Sequence, residues 1–238
     1  STDAVLNITT GGGLKMTLEE RLAAPMLAKP EMCSLNMGSI NFNISGGAEK
    51  ASRFYAEAAL EAGCKTIEHG TYLDEEAADL LLEKQAILVP TRFIIDRLAK
   101  SAAAMGSPEY ILRKIVPVVG RHEEALRLAV KKGLRIAAGT DIITSGVTGY
   151  ADWGQNAFEL VNLQKAGMKP LQAIEAATAT GPLTLGPQAP KSGQLREGYD
   201  ADILVVAKSP AQDVSVLTKP ENVRMVWKSG KLVKDLGA

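Results

Sequence analysis

The sequence contains few of the residues on which several classes of function depend. Among its 238 residues there are two histidines and two cysteines. Two histidines exclude any mechanism that takes three or more imidazoles from this chain. Two cysteines are too few for a disulfide framework, so Cys33 and Cys64 are predicted to be reduced, buried thiols.

The charge balance and the hydropathy pattern exclude further classes. The 27 basic and 27 acidic side chains cancel, which leaves no net attraction to nucleic acid or to an anionic membrane. No apolar run approaches the roughly 20 residues of a membrane span, and the N-terminal residues lack a signal-peptide pattern. The first residue is Ser1, which favours a processed or excised chain. We therefore expect a cytoplasmic protein that binds neither nucleic acid nor membrane.

The residues that are present are typical of a globular α/β protein. Hydrophobic residues make up 46% and charged residues 23% of the chain, proportions that exclude disordered and fibrous classes. Short apolar runs alternate with helical patterns, and this alternation predicts βαβ units with a parallel sheet. The runs predicted as strands cover residues 4–8, 32–38, 64–69, 86–91 and 134–138.

Capping residues set the expected limits of the helices between these runs. Asp74 is expected to open one helix. Ser107 and Pro108 are expected to form the cap and first turn of a long helix that is interrupted near Pro117 and closes at Gly133. Further helices are predicted over residues 17–29, 49–62, 153–166 and 170–179.

The last part of the chain, residues 182–238, has a different pattern. It begins with a segment rich in Gly and Pro, and a strand pattern follows at residues 202–207. Two alternating segments, 223–227 and 231–234, then flank Ser229-Gly230, which is a hairpin signal. We predict a small antiparallel β segment here rather than another βα repeat.

The predicted fold class is α/β, built from TIM-barrel-type (βα) units. Only about five parallel strands are predicted, whereas a closed (βα)₈ barrel needs eight. The expected architecture is therefore a partial barrel followed by the C-terminal antiparallel segment. Open sheet edges pair readily with other strands, so we expect self-association through these edges.

The ends of the five predicted strands, where barrel enzymes carry their reactive groups, hold polar residues and glycines. They are Thr9, Thr10, Gly11, Gly12 and Gly13; Asn36, Gly38 and Ser39; Glu68 and His69; Thr91 and Arg92; and Asp141. These groups would line one mouth of the barrel, and Arg92 is a candidate for substrate binding. The alternative is that strand ends are polar wherever the chain turns towards solvent.

Three other features favour structural interpretations. Gly11–Gly13 lies between a strand and a helix, as phosphate-binding loops do, but it lacks the G-x-G-x-x-G and G-K-[ST] patterns. A flexible turn or a backbone cradle for a carboxylate is the favoured interpretation. His122, between Arg121 and Glu123, is predicted to face solvent. No G-x-S-x-G is present, which argues against a Ser-His-Asp triad.

A series of motifs within residues 62–236 resembles the amidohydrolase superfamily, and specifically its peptidase and imidazolonepropionase-like branch. In order they are Ile67-Glu-His-Gly70, Val89-Pro-Thr91, His122-Glu-Glu-Ala-Leu-Arg127, Gly139-Thr-Asp141, Glu197-Gly-Tyr-Asp-Ala-Asp202 and the hairpin Val226-Trp-Lys-Ser-Gly-Lys-Leu-Val233. The resemblance implies a metal-dependent hydrolase of amide or peptide bonds, acting on a small molecule or a peptide.

The resemblance also implies roles for two residues. His69 would end the sixth strand of the family barrel and bind the metal. Asp141 would end the eighth strand, bind the metal and act as the base. A divalent ion such as zinc lowers the pKa of its bound water, and a carboxylate takes the proton as hydroxide attacks the amide carbonyl.

Residues 1–45 resemble a different family. The segments 7–13, 16–23 and 29–42 are similar to the beta-keto acid cleavage enzymes, which are also zinc-dependent barrels. In that family the corresponding strand ends help to bind the keto acid. The resemblance therefore implies substrate-binding roles for Thr10, Gly11, Gly12 and Asn36.

One feature of both families is missing. Each holds zinc with an H-x-H motif on an early strand, and this sequence has none. Catalytic zinc usually has three protein ligands. Hydrolysis is therefore expected to be impaired or absent, and the alternative to a zinc or other divalent metal site is that no cofactor binds.

The two resemblances together predict a chimera. Residues 1–45 would supply two strands of the keto-acid type, residues 46–181 the C-terminal half of an amidohydrolase barrel, and residues 182–238 the β segment. Three functions stay open: a metal-dependent amide hydrolase, a non-catalytic fusion of barrel fragments of natural or engineered origin, and a protein that binds or cleaves beta-keto acids.

Overall fold

The computed structural model describes residues 7–9, 18–28, 32–34, 60–61, 63–104, 106–142 and 151–237. The chain divides into two compact units, residues 1–64 and 65–238. None of the helices in these described ranges combines the length and the apolar character that crossing a bilayer requires.

The smaller unit contains a strand–helix–strand segment. β1 (Asn7–Thr9) pairs in parallel with β2 (Met32–Ser34). α1 (Leu18–Ala28) lies between them in sequence, as predicted. A parallel pair needs a crossover connection, and a helix commonly provides it.

The larger unit contains a three-stranded parallel sheet in the order β3–β4–β5. Its strands are β3 (Thr66–Glu68), β4 (Ile87–Val89) and β5 (Arg135–Ile136). Leu88 in the central strand and Ile136 in the neighbouring strand are both buried. Continuous apolar runs are typical of parallel strands that are covered on both faces, and the runs around residues 86–91 and 134–138 have this character.

Helices connect the strands of this sheet. α2 (Glu75–Glu83) lies between β3 and β4, and α3 (Arg92–Ala104) and α4 (Glu109–Lys132) lie between β4 and β5. The predicted cap at Asp74 is confirmed, because its carboxylate accepts a hydrogen bond of 2.8 Å from the N–H of Ala77. This bond satisfies one of the free donors at the start of α2.

The limits of α4 differ from the prediction at one end. The helix ends at Gly133, whose φ of 72° is the left-handed conformation expected of a C-terminal cap. Pro108, rather than Ser107, occupies the N-cap position, and no side chain caps the helix there. The helix also continues through Pro117. Its packing against α2 and α3 stabilises a single helix despite the missing proline N–H, since tertiary contacts commonly outweigh local propensity.

An aromatic cluster joins α3 to the next helix, α5 (Ala157–Lys165). The rings of Phe93 and Phe158 are stacked with their centroids 6.1 Å apart. The guanidinium of Arg97 lies 5.0 Å from the first centroid and 5.2 Å from the second. Stacking and cation–π contacts of this kind fix the relative position of two helices.

Two further elements cover α5. α6 (Pro170–Ala177) packs against it, and so does the 3₁₀ turn Val214–Thr218. Val214 at the start of that turn is fully buried. A second 3₁₀ segment, Gly181–Gln188, follows α6.

The C-terminal part forms a three-stranded antiparallel sheet, as predicted. Its strands are β6 (Ile203–Val206), β7 (Val223–Lys228) and β8 (Lys231–Asp235), in that order. Ser229 and Gly230 connect β7 to β8, and both have positive φ, which is the turn geometry that favours a two-residue hairpin. Asp202 accepts from the N–H of Ser229 at 2.8 Å and from Lys228 at 2.5 Å.

The strand count agrees with the sequence prediction. Five short parallel strands and three antiparallel strands are described. They form three sheets, and none of the sheets in the described part of the chain is a closed barrel. The domain boundaries predicted at residues 45 and 181 stay a prediction.

Candidate functional site

Three strand ends of the larger unit carry side chains on an uncommon backbone. His69, Thr91 and Asp141 follow β3, β4 and β5, and their φ angles are 65°, 52° and 54°. Residues other than glycine rarely adopt positive φ, and such residues cluster at functional sites. The carboxyl ends of parallel strands share one edge of a sheet, so this edge is the candidate functional site.

Two of these side chains are in direct contact. Nδ1 of His69 lies 2.6 Å from the hydroxyl oxygen of Thr91. The backbone N–H of His69 also donates to the carbonyl of Val89 at 2.8 Å, which extends the β3–β4 ladder by one residue. The imidazole is half-buried. With Nδ1 engaged by Thr91, Nε2 is the ring nitrogen that remains for a metal or a substrate.

Asp141 is exposed. It follows a segment whose backbone is hydrogen-bonded to β4 and α6. The N–H of Ala137 donates to Leu88 at 3.0 Å, and the N–H of Ala138 donates to Ala176 in α6 at 2.9 Å. Gly139 follows, and a Cβ at that position would lie 2.5 Å from Cγ1 of Val89. Only glycine permits this approach to β4, so the Gly-Thr-Asp motif has a packing reason as well as a chemical one.

The described residues do not complete a metal site. His69 and Asp141 follow the two outer strands of the sheet, and strand spacing separates such backbones by roughly 9–10 Å. Among the described residues, no group of three or more His, Cys, Asp or Glu side chains could hold a metal ion. Catalytic zinc usually needs three protein ligands. The two predicted ligands are therefore present but insufficient by themselves.

The prediction that His122 faces solvent is wrong. The residue is 1% exposed, and its Nε2 donates to the carbonyl of Pro90 at 2.7 Å. Burial, together with the nearby charges of Arg92 and His69, lowers the pKa of His122 to about 4. The flanking charges suggested an exposed position. Helical spacing, however, places it on the same face as the buried residues Ala125, Leu126 and Ala129.

Glu159 is a buried carboxylate that sequence reasoning missed. It is fully buried on α5, and its two oxygens accept from the backbone N–H of Arg92 at 2.9 Å and of Phe93 at 2.6 Å. Burial raises the pKa of Glu159 to about 7, against the lowering effect of these hydrogen bonds. The sequence contained one signal of this burial: Glu159 is next to Leu160 and four residues before Leu163, so it lies on the apolar side of the predicted helix.

Arg92 is buried and makes contacts within the fold. Its guanidinium donates to the carbonyl of Val119 at 2.6 Å and lies 2.8 Å from Asp96 and 3.5 Å from Glu123. These partners account for its burial. Its role in substrate binding stays a prediction.

The remaining predicted residues fall mostly outside the described ranges. Thr10, Gly11, Gly12 and Asn36 lie there, so their substrate-binding roles stay predictions. Cys64 is half-buried rather than buried as expected.

Comparison with known proteins identifies the family. The sequence profile of the Amidohydrolase family matches residues 40–233. Ochratoxinase of Aspergillus niger is 42% identical over 181 residues, which cover 76% of this chain and 36% of that protein. A third similarity is much shorter: 42 residues are 55% identical to a 3,5-dioxohexanoate:acetyl-CoA acetone transferase of Paraburkholderia graminis, covering 18% of this chain and 14% of the transferase.

Solved structures agree with the family match. The A. niger ochratoxinase structure superposes with a TM-score of 0.69 at 33% identity, over 98% of this chain and 51% of that one. A Xaa-Pro dipeptidase with bound methionine gives 0.71 at 28% identity, over 96% and 54%. This chain therefore spans about half the length of these structures. Since the family profile covers most of its residues, the chain belongs to the amidohydrolase family.

Proposed function

We propose that this chain carries part of the active site of a metal-dependent amide hydrolase, centred on His69 and Asp141. One observation carries the proposal. The two residues that the family resemblance assigns to the site follow β3 and β5 of one parallel sheet, both with positive φ. The kinship with ochratoxinase and with a Xaa-Pro dipeptidase supports hydrolysis of C–N bonds.

The side chains suggest distinct roles in such a reaction. We propose that the carboxylate of Asp141, which is exposed, accepts a proton from a water molecule that adds to an amide carbonyl. His69, with Nδ1 on Thr91, presents Nε2 to a ligand. Because the described residues provide fewer than three metal ligands, we assign no step of the reaction to a metal in this chain.

The incomplete ligand set has a direct consequence for activity. The chain covers 36% of the ochratoxinase sequence and contains no H-x-H. We therefore expect hydrolysis by this chain alone to be impaired, with slow turnover that depends on added metal. The substrate class that the relatives suggest is a small amide or a dipeptide with C-terminal proline.

Metal content and turnover test this proposal together. The purified chain is analysed for bound metal and then assayed with Xaa-Pro dipeptides, with and without added Zn²⁺ or Mn²⁺. A bound metal that is lost in Asp141→Asn and retained in Asp79→Asn, an exposed carboxylate on α2, would support the site. Absence of both metal and turnover would reject it.

The second candidate is a non-catalytic fusion of barrel fragments, natural or engineered. The short similarity to the acetone transferase supports it, because that match and the amidohydrolase match belong to differently named proteins. 3,5-Dioxohexanoate has a keto group β to its carboxylate, so a retained beta-keto acid pocket is the third candidate. Binding would raise the melting temperature in millimolar acetoacetate. No shift at that concentration would exclude the pocket.

We also propose that the protein self-associates through its C-terminal sheet. Both edge strands expose large apolar side chains: Leu204 and Val205 in β6, and Leu232 and Val233 in β8. Exposed edges with apolar side chains favour pairing with a second copy of the same sheet.

A further inference from the structure

The turn that follows β4 is held by side chains from two distant helices. His122 of α4 donates from Nε2 to the carbonyl of Pro90 at 2.7 Å. Glu159 of α5 accepts from the N–H groups of Arg92 and Phe93 at 2.9 and 2.6 Å. Three backbone atoms on either side of Thr91 are therefore fixed from outside the turn.

Burying these two polar side chains costs folding free energy that apolar side chains at the same positions would not cost. His122 is 1% exposed and Glu159 is fully buried. A buried polar group lowers stability unless it is hydrogen-bonded, and an apolar residue would fill the same space without that penalty. Because a carbonyl can only accept, the neutral ring of His122 carries its proton on Nε2. Nδ1 of His122 has no hydrogen-bond partner in the described residues.

Thr91, between the fixed atoms, has a conformation that needs such support. Its φ is 52°, and a β-branched residue is strained in the left-handed region. Strain of this kind persists only where the surroundings determine the backbone. The result is that the Thr91 hydroxyl lies 2.6 Å from Nδ1 of His69.

We propose that His122 and Glu159 are positioning residues that hold the Thr91 hydroxyl against His69 and so fix the orientation of its imidazole. We call this series of contacts the relay: it runs from α4 and α5 through the Pro90–Phe93 turn to the Thr91 hydroxyl and then to His69. The meaning of this orientation for catalysis rests on the proposed function, since Nε2 matters only if it binds a metal or a substrate. The relay itself can be tested without turnover.

The low histidine content makes the test direct. With ¹⁵N-labelled histidine, the whole chain shows only two imidazole spin systems. In the wild type we expect the His69 ring to give well-separated Nδ1 and Nε2 resonances, as a ring held by one hydrogen bond does. Amide hydrogen exchange reports in parallel on the N–H groups of Arg92 and Phe93.

Four variants separate positioning from stability. Glu159→Gln retains one acceptor oxygen but presents an NH₂ group to the second N–H, so one of the two amides should lose protection and the His69 resonances should move towards the averaged positions of a mobile ring. Thr91→Val should move the His69 resonances and leave the amide protection unchanged.

Two variants of His122 test the other support of the turn. His122→Leu should move the His69 resonances. His122→Gln retains an N–H donor for Pro90, so the His69 resonances should return to their wild-type positions. Glu124→Gln, an exposed carboxylate on α4, is the matched control and should change nothing.

The outcomes are decisive in each case. If folded Glu159→Gln and Thr91→Val both retain the wild-type His69 resonances, the proposal is wrong. If His122→Leu does not fold, Glu159→Gln and His122→Gln still decide it. Amide hydrolysis measured on the wild type tests the proposed function separately, because a fixed His69 ring without turnover would reject hydrolysis and leave the relay intact.

Discussion

At the scale of single residues, the candidate site depends on side chains whose pKa values are shifted in opposite directions. Burial raises the pKa of Glu159 to about 7 and lowers that of His122 to about 4. Both side chains hold the same turn and both are neutral between these values. A neutral pair is the arrangement in which burial costs least.

The two shifts predict opposing effects of pH on stability. Between pH 4.5 and 7, folded Glu159 holds a proton that the unfolded chain has lost, so stability falls as pH rises. Between pH 4 and 6.5, the unfolded chain protonates its histidine while folded His122 stays neutral, so stability rises with pH. In the wild type these effects should largely cancel from about pH 4.5 to 6.5.

Single variants should reveal each effect. In Glu159→Gln, the free energy of unfolding should increase from pH 4 to 6.5 by up to about 3 kcal/mol, and in His122→Gln it should decrease from pH 4.5 to 7 by a similar amount. Urea denaturation at a series of pH values measures both slopes. Identical pH profiles for the wild type and the two variants would contradict the prediction.

Gly139 offers a second prediction at this scale. In Gly139→Ala the new Cβ would lie 2.5 Å from Cγ1 of Val89, a branched side chain that cannot rotate away easily. We expect a loss of about 1–3 kcal/mol in the free energy of unfolding. The control is Gly120→Ala in α4, where no atom lies within 4 Å. That variant should gain up to about 1 kcal/mol from helix propensity, and equal stability of the two variants would refute the packing argument.

At the scale of elements, α2 and α3 of the larger unit are capped in two different ways. α2 uses a local cap, in which Asp74 bonds to Ala77 three residues later. α3 uses a distant one, because Glu159 of α5 accepts from its first two N–H groups. A local cap follows from neighbouring residues in the sequence, whereas a distant cap depends on how helices pack.

The local cap of α2 is testable on its own. Asp74→Ala should lower the free energy of unfolding by about 1 kcal/mol, since it leaves a helix N–H without its acceptor. Thermal or urea unfolding measures the loss. Glu83→Ala, at the other end of the same helix and exposed, should cost much less. A loss in Glu83→Ala as large as that in Asp74→Ala would show that the cap is not the cause.

At the scale of the whole molecule, the open edges of the C-terminal sheet are the main feature. β6 and β8 have no further neighbour in the described part of the chain, and they expose Leu204 and Val233 at 56% and 59%. Edge strands of this kind pair with other strands unless charged residues oppose it. β6 has no charged residue, whereas β8 contains Lys231 and Lys234, so β6 is the edge that supports the proposed self-association.

Light scattering as a function of concentration measures this association. Leu204→Lys combined with Val233→Lys should shift the protein towards the monomer, because lysine on an edge strand opposes pairing. Leu171→Lys, at an apolar residue on α6 with 64% exposure, should leave the association unchanged. A wild type that is monomeric at all concentrations would reject the proposal.

The sequence by itself determined the elements and the family. Alternating apolar runs predicted the five parallel strands, Asp74 and Gly133 predicted helix ends, and the Gly-Thr-Asp141 motif carried the amidohydrolase resemblance. These features depend on residues only a few positions apart. Hydrophobic periodicity and capping therefore make them readable from the chain.

Only the tertiary structure decided how the site is held. The contact between His122 and Pro90 spans 32 residues, and those of Glu159 span 66 and 67. The flanking charges of His122 predicted exposure, yet the packing of α4 against α2 and α3 buries it. Hydrogen bonds across such separations exist only after the sheet and helices have packed, because packing both excludes water from these groups and brings their partners within reach.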